Sequence, residues 1–405
     1  MPAKTVLIAG AGIGGPTLAF WLHAAGFAPT VVEHAPALRG GGYVIDFWGL
    51  GYDIAERMGL TGEIERIGYH MREMRIVDAH GRRVSGFGTR VLRELAGGRF
   101  VTLGRSALSR LLFDKIKATT EVIFGDQVVG LREDTNDVLV RFKHGGERRF
   151  DLVIGADGLH SGIRRLAFGP QDSFEVPLGY LVAVFEAGGY RPRDDEVYVI
   201  YGAPGRMLGR LALHDDRTLF LFVFVADDAT AHANLDLAAQ KTLLRDRFGA
   251  EPWECRRILD ALERAPELYF DRVSQIRMNN WSRGRVALVG DAAFCVSLMA
   301  GQGSALAMTA AYVLAGELAN AGGRYDEAFA RYETLLRPYI DLKQQGAARF
   351  ASAFAPKSRW GLFVRNQVIR GLAIPGLGKL AFGRELIDSL PLPDYRWPAP
   401  LPGGT

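Results

Sequence analysis

Hydrophobic residues near the start of the chain follow first the pattern of a strand and then that of a helix. Residues 5–9 (TVLIA) form a short apolar run that predicts a β-strand. Apolar positions recur at helical spacing from Pro16 to Ala25, and Gly26 is a typical helix stop. The run PTVVEH at 29–34 predicts a second strand. The segment is therefore a β-α-β unit of about 30 residues, the length that a parallel crossover requires.

Two later apolar runs end at an aspartate beside a glycine. FDLVIGADG at 150–158 and GRVALVGD at 284–291 have the continuous apolar character of buried parallel strands. A long helix rich in small residues is predicted after the second run, over 304–319. Both segments therefore predict further parallel strands of the kind found in the first β-α-β unit, far from it in the sequence.

The middle of the chain, residues 170–275, contains longer runs that resemble antiparallel strands. In TLFLFVFVA at 218–226, one face carries phenylalanines and the other carries aliphatic side chains. Both faces of the predicted sheet are therefore covered, one by a helix or core and the other by a cavity or partner. Two interpretations are open for the phenylalanines, core residues or a pocket wall, and the residues concerned are Phe220, Phe222 and Phe224.

The composition is that of a globular enzyme. Of 405 residues, 48% are hydrophobic and 23% are charged, which excludes a disordered chain. The net charge of +4 is too small to indicate nucleic-acid binding. The two cysteines, Cys255 and Cys295, form neither a disulfide framework nor a zinc pattern, so we expect no metal and a cytoplasmic location. No stretch approaches the roughly 20 apolar residues of a membrane span.

The first motif with chemical meaning is Gly10-x-Gly12-x-x-Gly15, in which Ile13 and Gly14 occupy the two positions before the last glycine. The three glycines allow a tight turn, a close approach of the backbone to a pyrophosphate, and close packing of the helix on the strand. The N-terminus of the helix offers N–H groups and a positive dipole to the phosphates.

A carboxylate at the end of the second predicted strand extends this motif. Glu33 lies where it can accept hydrogen bonds from a ribose 2′-hydroxyl group, whereas a basic residue there would suggest a 2′-phosphate. The module is therefore predicted to bind an adenine dinucleotide. The glycine motif by itself leaves both NAD and FAD open.

Two further motifs favour FAD. GADGLHSGIRR at 155–165 places an aspartate at a strand end, followed by a serine and an arginine at a helix start. Gly290-Asp291 ends another strand, and Gly301-Gln302-Gly303-Ser304 precedes the long helix. An NAD dehydrogenase has no need of these distant motifs, whereas the ribitol chain and isoalloxazine ring of a flavin extend far beyond the adenosine. Backbone N–H groups at that helix start can stabilise negative charge on the flavin pyrimidine edge.

Together these motifs resemble those of the class A flavoprotein aromatic hydroxylases, the group of p-hydroxybenzoate hydroxylase and the tetracycline-inactivating monooxygenases. The resemblance covers roughly residues 5–320 and rests on GAGIGG, DGxxSxxR at 157–164 and GDAA…GQG at 290–303, in this order. It implies FAD as cofactor, NAD(P)H as co-substrate and hydroxylation with O₂ through a flavin hydroperoxide. The reactive chemistry then belongs to the cofactor, so we assign no catalytic acid or base.

The elements and the resemblance imply an α/β fold: a Rossmann-like FAD-binding domain of the GR2 type, an inserted, mostly antiparallel β-sheet domain for the substrate, and a C-terminal helical region. We place the FAD-binding domain at 1–170 and 276–330. The substrate domain is expected at 171–275 with part of 70–100, and the helical region at 331–405.

Roles for individual residues follow from the resemblance. Glu33 is expected to bind the FAD ribose, with His34 and Arg39 near the adenosine end. Arg105 is expected to reach the cofactor backbone, and Asp291 to accept a hydrogen bond from a ribitol hydroxyl group.

Three further positions have a more general assignment. Asp157 matches the place where both FAD and NAD(P)H pass in the family, and it also fits a helix N-cap made with Ser161. GGGYVIDFWG at 40–49 resembles the segment near the isoalloxazine ring, so Asp46 and Gly49 are candidates for contacts there.

Two departures from the family pattern bear on the substrate. Many relatives have histidine after GDAA, where this chain has Phe294, and many have proline where it has Leu298. With Met299, these residues make the ring-facing loop more apolar and favour a bulky, hydrophobic aromatic, phenolic or polyketide-type small molecule, as in antibiotic biosynthesis or inactivation. The alternatives are an FAD-dependent oxidase or reductase, or a flavoprotein that sequesters a ligand.

The C-terminal region raises the question of a membrane. RWGLFVRNQVIRGLAIPGLGKLAFG at 359–383 is basic and apolar enough for an interfacial helix. Packing of this stretch across its own domain is the favoured interpretation, so we expect no membrane contact. The protein is expected to be a monomer or a homodimer.

Overall fold

The computed structural model describes residues 4–40, 43–227, 235–372, 390–398 and 401. The strands are β1 (Thr5–Ala9), β2 (Ala28–Glu33), β3 (Val44–Trp48), β4 (Glu73–Val77), β5 (Arg83–Gly88), β6 (Phe100–Gly104), β7 (Glu121–Phe124), β8 (Val128–Glu133), β9 (Val138–Phe142), β10 (Glu147–Phe150), β11 (Leu152–Gly155), β12 (Glu175–Gly188), β13 (Val197–Ala203), β14 (Arg206–Ala212), β15 (Arg217–Val225), β16 (Tyr269–Ile276), β17 (Ser282–Arg283) and β18 (Val286–Leu288).

The α-helices are α1 (Gly14–Ala24), α2 (Leu50–Arg57), α3 (Thr61–Ile67), α4 (Arg90–Leu95), α5 (Arg105–Ile116), α6 (Gly162–Ala167), α7 (Leu237–Phe248), α8 (Cys255–Arg264), α9 (Asp291–Phe294), α10 (Gly303–Asn320), α11 (Tyr325–Phe354) and α12 (Arg359–Leu372). Two short 3₁₀ helices cover Gln171–Ser173 and Leu298–Ala300.

The predicted β-α-β unit lies at the centre of a six-stranded sheet with the order β17-β18-β11-β1-β2-β7. From β18 to β7 all neighbouring strands are parallel, and only β17 is antiparallel. Val6, Leu7 and Ile8 on β1 are fully buried, as expected for a strand covered on both faces. The strands that precede the three sequence motifs, β1, β11 and β18, are neighbours, so their carboxyl ends meet at one edge of the sheet.

Helix α10 packs closely against this sheet and its helices because its side chains are small. A Cβ atom built on Gly14 of α1 would lie 3.6 Å from the Cβ of Ala307, and one built on Gly51 of α2 would lie 2.6 Å from the Cβ of Ala305. Larger side chains at these positions would force the helices apart. The small-residue pattern of α10 therefore fixes its position between α1 and α2.

A second, seven-stranded sheet has the order β16-β12-β15-β14-β13-β4-β5. All its neighbouring strands are antiparallel except β13 and β4. The α/β fold predicted from the sequence, with a Rossmann-like unit and a largely antiparallel sheet, is confirmed. β4 and β5 reach this sheet from the early part of the chain, while the domain boundaries stay a prediction.

The two faces of β15 have different surroundings. Phe220, Phe222 and Phe224 are buried between the sheet and helices α7 and α8. The ring centroid of Phe222 lies 4.9 Å from that of Phe248 on α7, and Phe220 lies 4.8 Å from Phe185. The interpretation of the three phenylalanines as a pocket wall is wrong, because they fill a closed core. The aliphatic face of β15 points to the opposite side.

The C-terminal residues return to both parts of the fold. Tyr395 and Trp397 pack on Tyr312 of α10 at centroid distances of 5.2 and 5.7 Å. Helix α12 packs along β5, where Ser85 Oγ donates a 2.9 Å hydrogen bond to the carbonyl oxygen of Asn366. Residues 373–383 of the basic, apolar stretch lie outside the described residues. Among the described helices, none combines the length and the apolar character needed to cross a bilayer.

The contact between α10 and Tyr395 predicts a stability effect at a single glycine. A Cβ atom at Gly316 would lie 2.2 Å from ring atoms of Tyr395, so we expect Gly316→Ala to lower the free energy of unfolding by about 1–3 kcal/mol. A Cβ atom at Gly346 on α11 meets no atom within 4 Å, so Gly346→Ala should raise it by up to about 1 kcal/mol. Urea denaturation measures both effects, and an equal response of the two variants would contradict the packing.

Candidate functional site

The turn after β1 is closed so tightly that it leaves no room for side chains. Gly10 has a φ of +104°, and a Cβ atom there would lie 2.5 Å from the carbonyl oxygen of Ala156. A Cβ atom on Gly15 would lie 1.9 Å from the carbonyl oxygen of Gly10. The glycine motif thus brings the N-terminus of α1 against the end of β11, with its backbone N–H groups unobstructed by side chains.

Glu33 connects the end of β2 with this turn. Its two carboxylate oxygens accept hydrogen bonds of 2.9 Å from the backbone N–H groups of Ala11 and Ala35. His34 Nδ1 lies 3.0 Å from Glu33 Oε1, and the guanidinium group of Arg39 contacts His34 Nε2. The three residues that the sequence assigned to the adenosine end therefore lie together, beside the glycine turn.

Arg105, the first residue of α5, lies between the glycine turn and Asp291. A Cβ atom on Gly12 would lie 3.4 Å from Arg105 Nη2. The backbone N–H of Arg105 donates to the carbonyl oxygen of Tyr43 at 3.0 Å, and its guanidinium carbon lies 5.8 Å from the Tyr43 ring centroid. The Arg105 side chain thus lies between the glycine turn after β1 and the Gly290-Asp291 turn after β18.

Asp291 is the first residue of α9, and its carboxyl group lies beside the N-terminus of α10. A Cβ atom on Gly303, the first residue of that helix, would lie 3.5 Å from Asp291 Oδ1. Burial raises the pKa of the Asp291 carboxyl, while the positive charge of Arg105 and a hydrogen bond from the Cys295 thiol oppose that rise. The carboxyl group therefore faces the same space as the first N–H groups of α10, which include those of Gly303 and Ser304.

The loop before α10 reverses the chain at Gly301. This residue adopts the left-handed conformation with φ +66°, and its N–H donates to the carbonyl oxygen of Leu298 at 3.1 Å. Gln302 follows as the last residue before the helix, and its carbonyl oxygen accepts from the N–H of Leu306 at 3.0 Å. Gly301, Gln302 and Gly303 are thus presented at a helix start, as the sequence predicted.

Asp157 is anchored at the start of α6. Its Oδ1 accepts a 2.5 Å hydrogen bond from the hydroxyl of Ser161, and its Oδ2 accepts a 3.1 Å bond from the N–H of Ile163. Ser161 in turn caps the helix by accepting from the N–H of Arg164 at 2.9 Å. Burial raises the pKa of Asp157. The capping arrangement considered for the sequence is present, and the contact of Asp157 with FAD and NAD(P)H stays a prediction.

The arginine of the second motif has a role that the sequence did not reveal. Arg164 is fully buried and donates to the carbonyl oxygens of Ala292 at 2.8 Å and Leu159 at 2.6 Å. It therefore ties the second motif to the GDAA turn of the third. The position of Arg164 as the last residue of the DGxxSxxR motif was the sequence signal that could have indicated this role.

Asp46 lies on β3 at the edge of a small recess. Its Oδ1 accepts hydrogen bonds from Thr102 Oγ1 at 2.6 Å and from the Tyr198 hydroxyl at 2.5 Å. We call the space the Asp46 recess, and it is lined by Asp46, Trp48, Leu50, Gln302, Ala305, Leu306 and Tyr339. Gly49 lies at the turn between β3 and α2, with a φ of +63°.

The loop residues expected to face the substrate separate into two groups. Leu298 and Met299 contact the cluster of aliphatic residues on the far face of the seven-stranded sheet. Phe294 is 2% exposed and packs on Trp281 with a centroid distance of 4.6 Å. Phe294 therefore lies on the Trp281 side of the loop, apart from Leu298 and Met299, and its assignment to the substrate pocket stays a prediction.

Two glutamines donate hydrogen bonds to backbone carbonyl groups of this loop. The sequence analysis did not identify either of them. The Nε2 of Gln344 donates to the carbonyl oxygens of Ile276 at 2.8 Å and Cys295 at 3.2 Å. The Nε2 of Gln275 donates to the carbonyl oxygen of Val296 at 2.8 Å. Both side chains are buried, so they satisfy loop carbonyl groups that water does not reach.

Comparison with known proteins agrees with this geometry. The family model of the FAD binding domain matches residues 3–339. A flavin-dependent monooxygenase of Legionella longbeachae is 31% identical over 96% of this chain and 98% of its own length. The chain belongs to the class A flavoprotein monooxygenases. Such an enzyme uses FAD as its cofactor and NAD(P)H as its co-substrate.

Other relatives cover most of this flavoprotein monooxygenase. An uncharacterised protein of Mycobacterium tuberculosis is 36% identical over 84% of this chain and 92% of its own length. The crystal structure of the tetracycline destructase Tet(51) has a TM-score of 0.82 and 31% identity, covering 97% of this chain and all of the other. The resemblance to class A enzymes inferred from the motifs is confirmed.

The buried link between the second and third motifs predicts a stability effect. The two Nη atoms of Arg164 each reach a different carbonyl oxygen, and the single nitrogen of a lysine cannot reach both, so we expect Arg164→Lys to lower the free energy of unfolding by about 2 kcal/mol. The neighbouring Arg165 is exposed, and Arg165→Lys should change stability by less than about 0.5 kcal/mol. Chemical denaturation of both variants measures the difference, and similar values would show that the Arg164 link contributes little.

Proposed function

We propose that the enzyme uses NAD(P)H and O₂ to hydroxylate a bulky, hydrophobic aromatic, phenolic or polyketide-type molecule. The observation that carries this proposal is the aliphatic face of the seven-stranded sheet, which lies on the side of Leu298 and Met299. The likeness to a tetracycline destructase over the full chain supports a polycyclic polyketide as the substrate class.

The aliphatic face has a dip that suits a flat molecule. Ile200 on β13 and Leu221 on β15 flank Gly209 on β14 in the register of the sheet. Ile200 and Leu221 are half-buried, and Gly209 contributes no side chain between them. Apolar side chains around a shallow gap bind a ring system by surface burial, with only a few polar groups to orient it.

The residues around the three strand ends fit FAD. The glycine turn leaves its N–H groups open to a pyrophosphate, and Glu33 lies beside it for the ribose. Arg105 and Asp291 follow in the direction that the ribitol chain would take, and Asp46 lies near the place that we assign to the ring. These contacts, with those of His34, Arg39 and Asp157, are our proposal for the cofactor site.

The chain's own residues position the reactants and exclude water. When bound, FAD supplies the redox chemistry of oxygen transfer. The N-terminus of α10 directs N–H groups and a positive dipole toward the proposed ring site, which favours negative charge there. Leu298, Met299 and the aliphatic sheet face keep the neighbouring space apolar, and a dry site strengthens these electrostatic effects.

FAD affinity tests the assignment of Arg105. Arg105→Ala removes a cation beside both Gly12 and Asp291, so we expect FAD to bind at least about 10-fold more weakly. Arg110 lies on the same helix but is exposed, and Arg110→Ala should leave the affinity within about threefold. Fluorescence titration of apoprotein with FAD measures both values. Equal affinities of the two variants would remove Arg105 from the site.

Turnover tests the proposed reaction. Polycyclic phenols and polyketides, tetracyclines among them, should stimulate NAD(P)H oxidation by the FAD-loaded enzyme, with products that gain one oxygen atom by mass spectrometry. Leu221→Trp fills the dip in the sheet and should raise KM about 10-fold or more while the FAD content stays unchanged. NAD(P)H oxidation that yields no oxygenated product with any of these compounds would contradict the proposal.

A further inference from the structure

Three oxygen atoms from three strands meet at the edge of the Asp46 recess. Asp46 Oδ1 lies 2.6 Å from Thr102 Oγ1 and 2.5 Å from the hydroxyl oxygen of Tyr198. The two hydroxyl oxygens lie 2.7 Å from each other. Asp46 and Thr102 are opposite residues of β3 and β6, and Tyr198 is on β13 of the seven-stranded sheet. The triangle therefore joins the segment expected near the flavin to the sheet that we assign to the substrate.

Three short contacts between three oxygens need three protons. Each O···O separation of this length is a hydrogen bond with one proton between the two atoms. The hydroxyl groups of Thr102 and Tyr198 bring only two protons. If Asp46 were ionised, both protons would point to its Oδ1, and lone pairs of Thr102 and Tyr198 would face each other at 2.7 Å. A proton on Asp46 Oδ1 completes a ring in which each oxygen donates once and accepts once.

The surroundings of Asp46 agree with a neutral acid. Burial raises the pKa of its carboxyl group, while the hydrogen bonds from Thr102 and Tyr198 oppose that rise. On the described elements around the recess, α10 presents the uncharged Gln302, and α11 presents Tyr339 and Lys343.

Lys343 on α11 is a cation close enough to affect the ionisation of Asp46. Its ammonium group lies 5.2 Å from the ring centroid of Tyr339 and 5.9 Å from that of Trp48, both of which line the recess. A positive charge there favours an ionised Asp46, whereas Asp46 Oδ1 itself lies against the neutral hydroxyl groups of Thr102 and Tyr198. The contacts that Asp46 makes directly are those of the oxygen triangle.

We propose that Asp46 is a neutral carboxylic acid in the folded protein, its proton held in a closed ring with Thr102 and Tyr198. The carboxyl group of Asp46 then lines the recess without a negative charge. The consequence for catalysis rests on the proposed function: a neutral acid adds no negative charge beside the one that the N-terminus of α10 is placed to stabilise. Tyr198 acts as a positioning residue, because it holds the proton of Asp46 from the substrate side.

The ring also couples the two parts of the molecule. A substrate that takes over the hydrogen bond of the Tyr198 hydroxyl opens the triangle and changes the proton affinity of Asp46. Among the described residues, the hydroxyl of Tyr198 has no other bonding partner than Thr102 and Asp46.

Infrared difference spectroscopy of the purified protein at pH 7 tests the proposal directly. Wild type minus Asp46→Asn should show the carbonyl band of one protonated carboxylic acid, shifted in D₂O. Tyr198→Phe removes two of the three contacts and should weaken or abolish this band, because the hydroxyl proton of Thr102 is then sufficient for the contact that remains. Tyr201→Phe is the matched control: this tyrosine is on the same strand, bonds Glu251 on the opposite face and should leave the band unchanged.

Two results would overturn the proposal. One is a difference spectrum for Asp46→Asn that contains only carboxylate bands, which would mean that Asp46 is ionised. The other is a band that Tyr198→Phe and Tyr201→Phe affect equally. Thermal denaturation of the three variants checks that each is folded. The infrared measurement needs no cofactor, so a failure of the protein to bind FAD would contradict the proposed function while this result still decides the state of Asp46.

Discussion

The parallel packing of β18, β11 and β1 is the constraint on which the rest of the structure depends. Parallel neighbours in a sheet have their carboxyl ends at one edge, so three motifs separated by most of the chain length are brought to one place. The turns at that edge have to be compact, which accounts for the glycine at position 10. Side chains then join the turns to one another: Glu33 to Ala11, and Arg164 to Ala292.

The second sheet complements this edge through its asymmetry. Its aromatic face is closed by α7 and α8 and provides stability, while its aliphatic face is turned to the loop of Leu298 and Met299. Most of the aliphatic face is also buried, and its half-buried residues include Ile200 and Leu221, the part of the sheet that we propose as a wall of the substrate site. The Asp46 triangle joins the seven-stranded sheet to the short two-stranded sheet of β3 and β6, beside the proposed cofactor site.

The sequence predicted the features that depend on local pattern. The β-α-β unit, the parallel strands before Asp157 and Asp291, and the small-residue helix α10 all follow from spacing and composition, and the structure has them in place. The alternation of β15 defined two faces but carried no information on which face a helix covers, so the pocket role given to Phe220, Phe222 and Phe224 was wrong. The packing of Phe294 on Trp281 could not be predicted from the local pattern either, since Trp281 comes from a different element. The role of Gln344 was not predicted, because a polar residue on a long helix is normally exposed and only the tertiary fold buries this one.

The central claim is that the three strand ends form one continuous site for FAD. A crystal structure of the protein with FAD tests it most directly. The account predicts the pyrophosphate at the turn of Gly10 to Gly15, a ribitol hydroxyl group within hydrogen-bond distance of Asp291, and the pyrimidine edge at the N-terminus of α10. A dinucleotide bound at the glycine turn with its flavin ring directed away from both Asp291 and α10 would contradict the account.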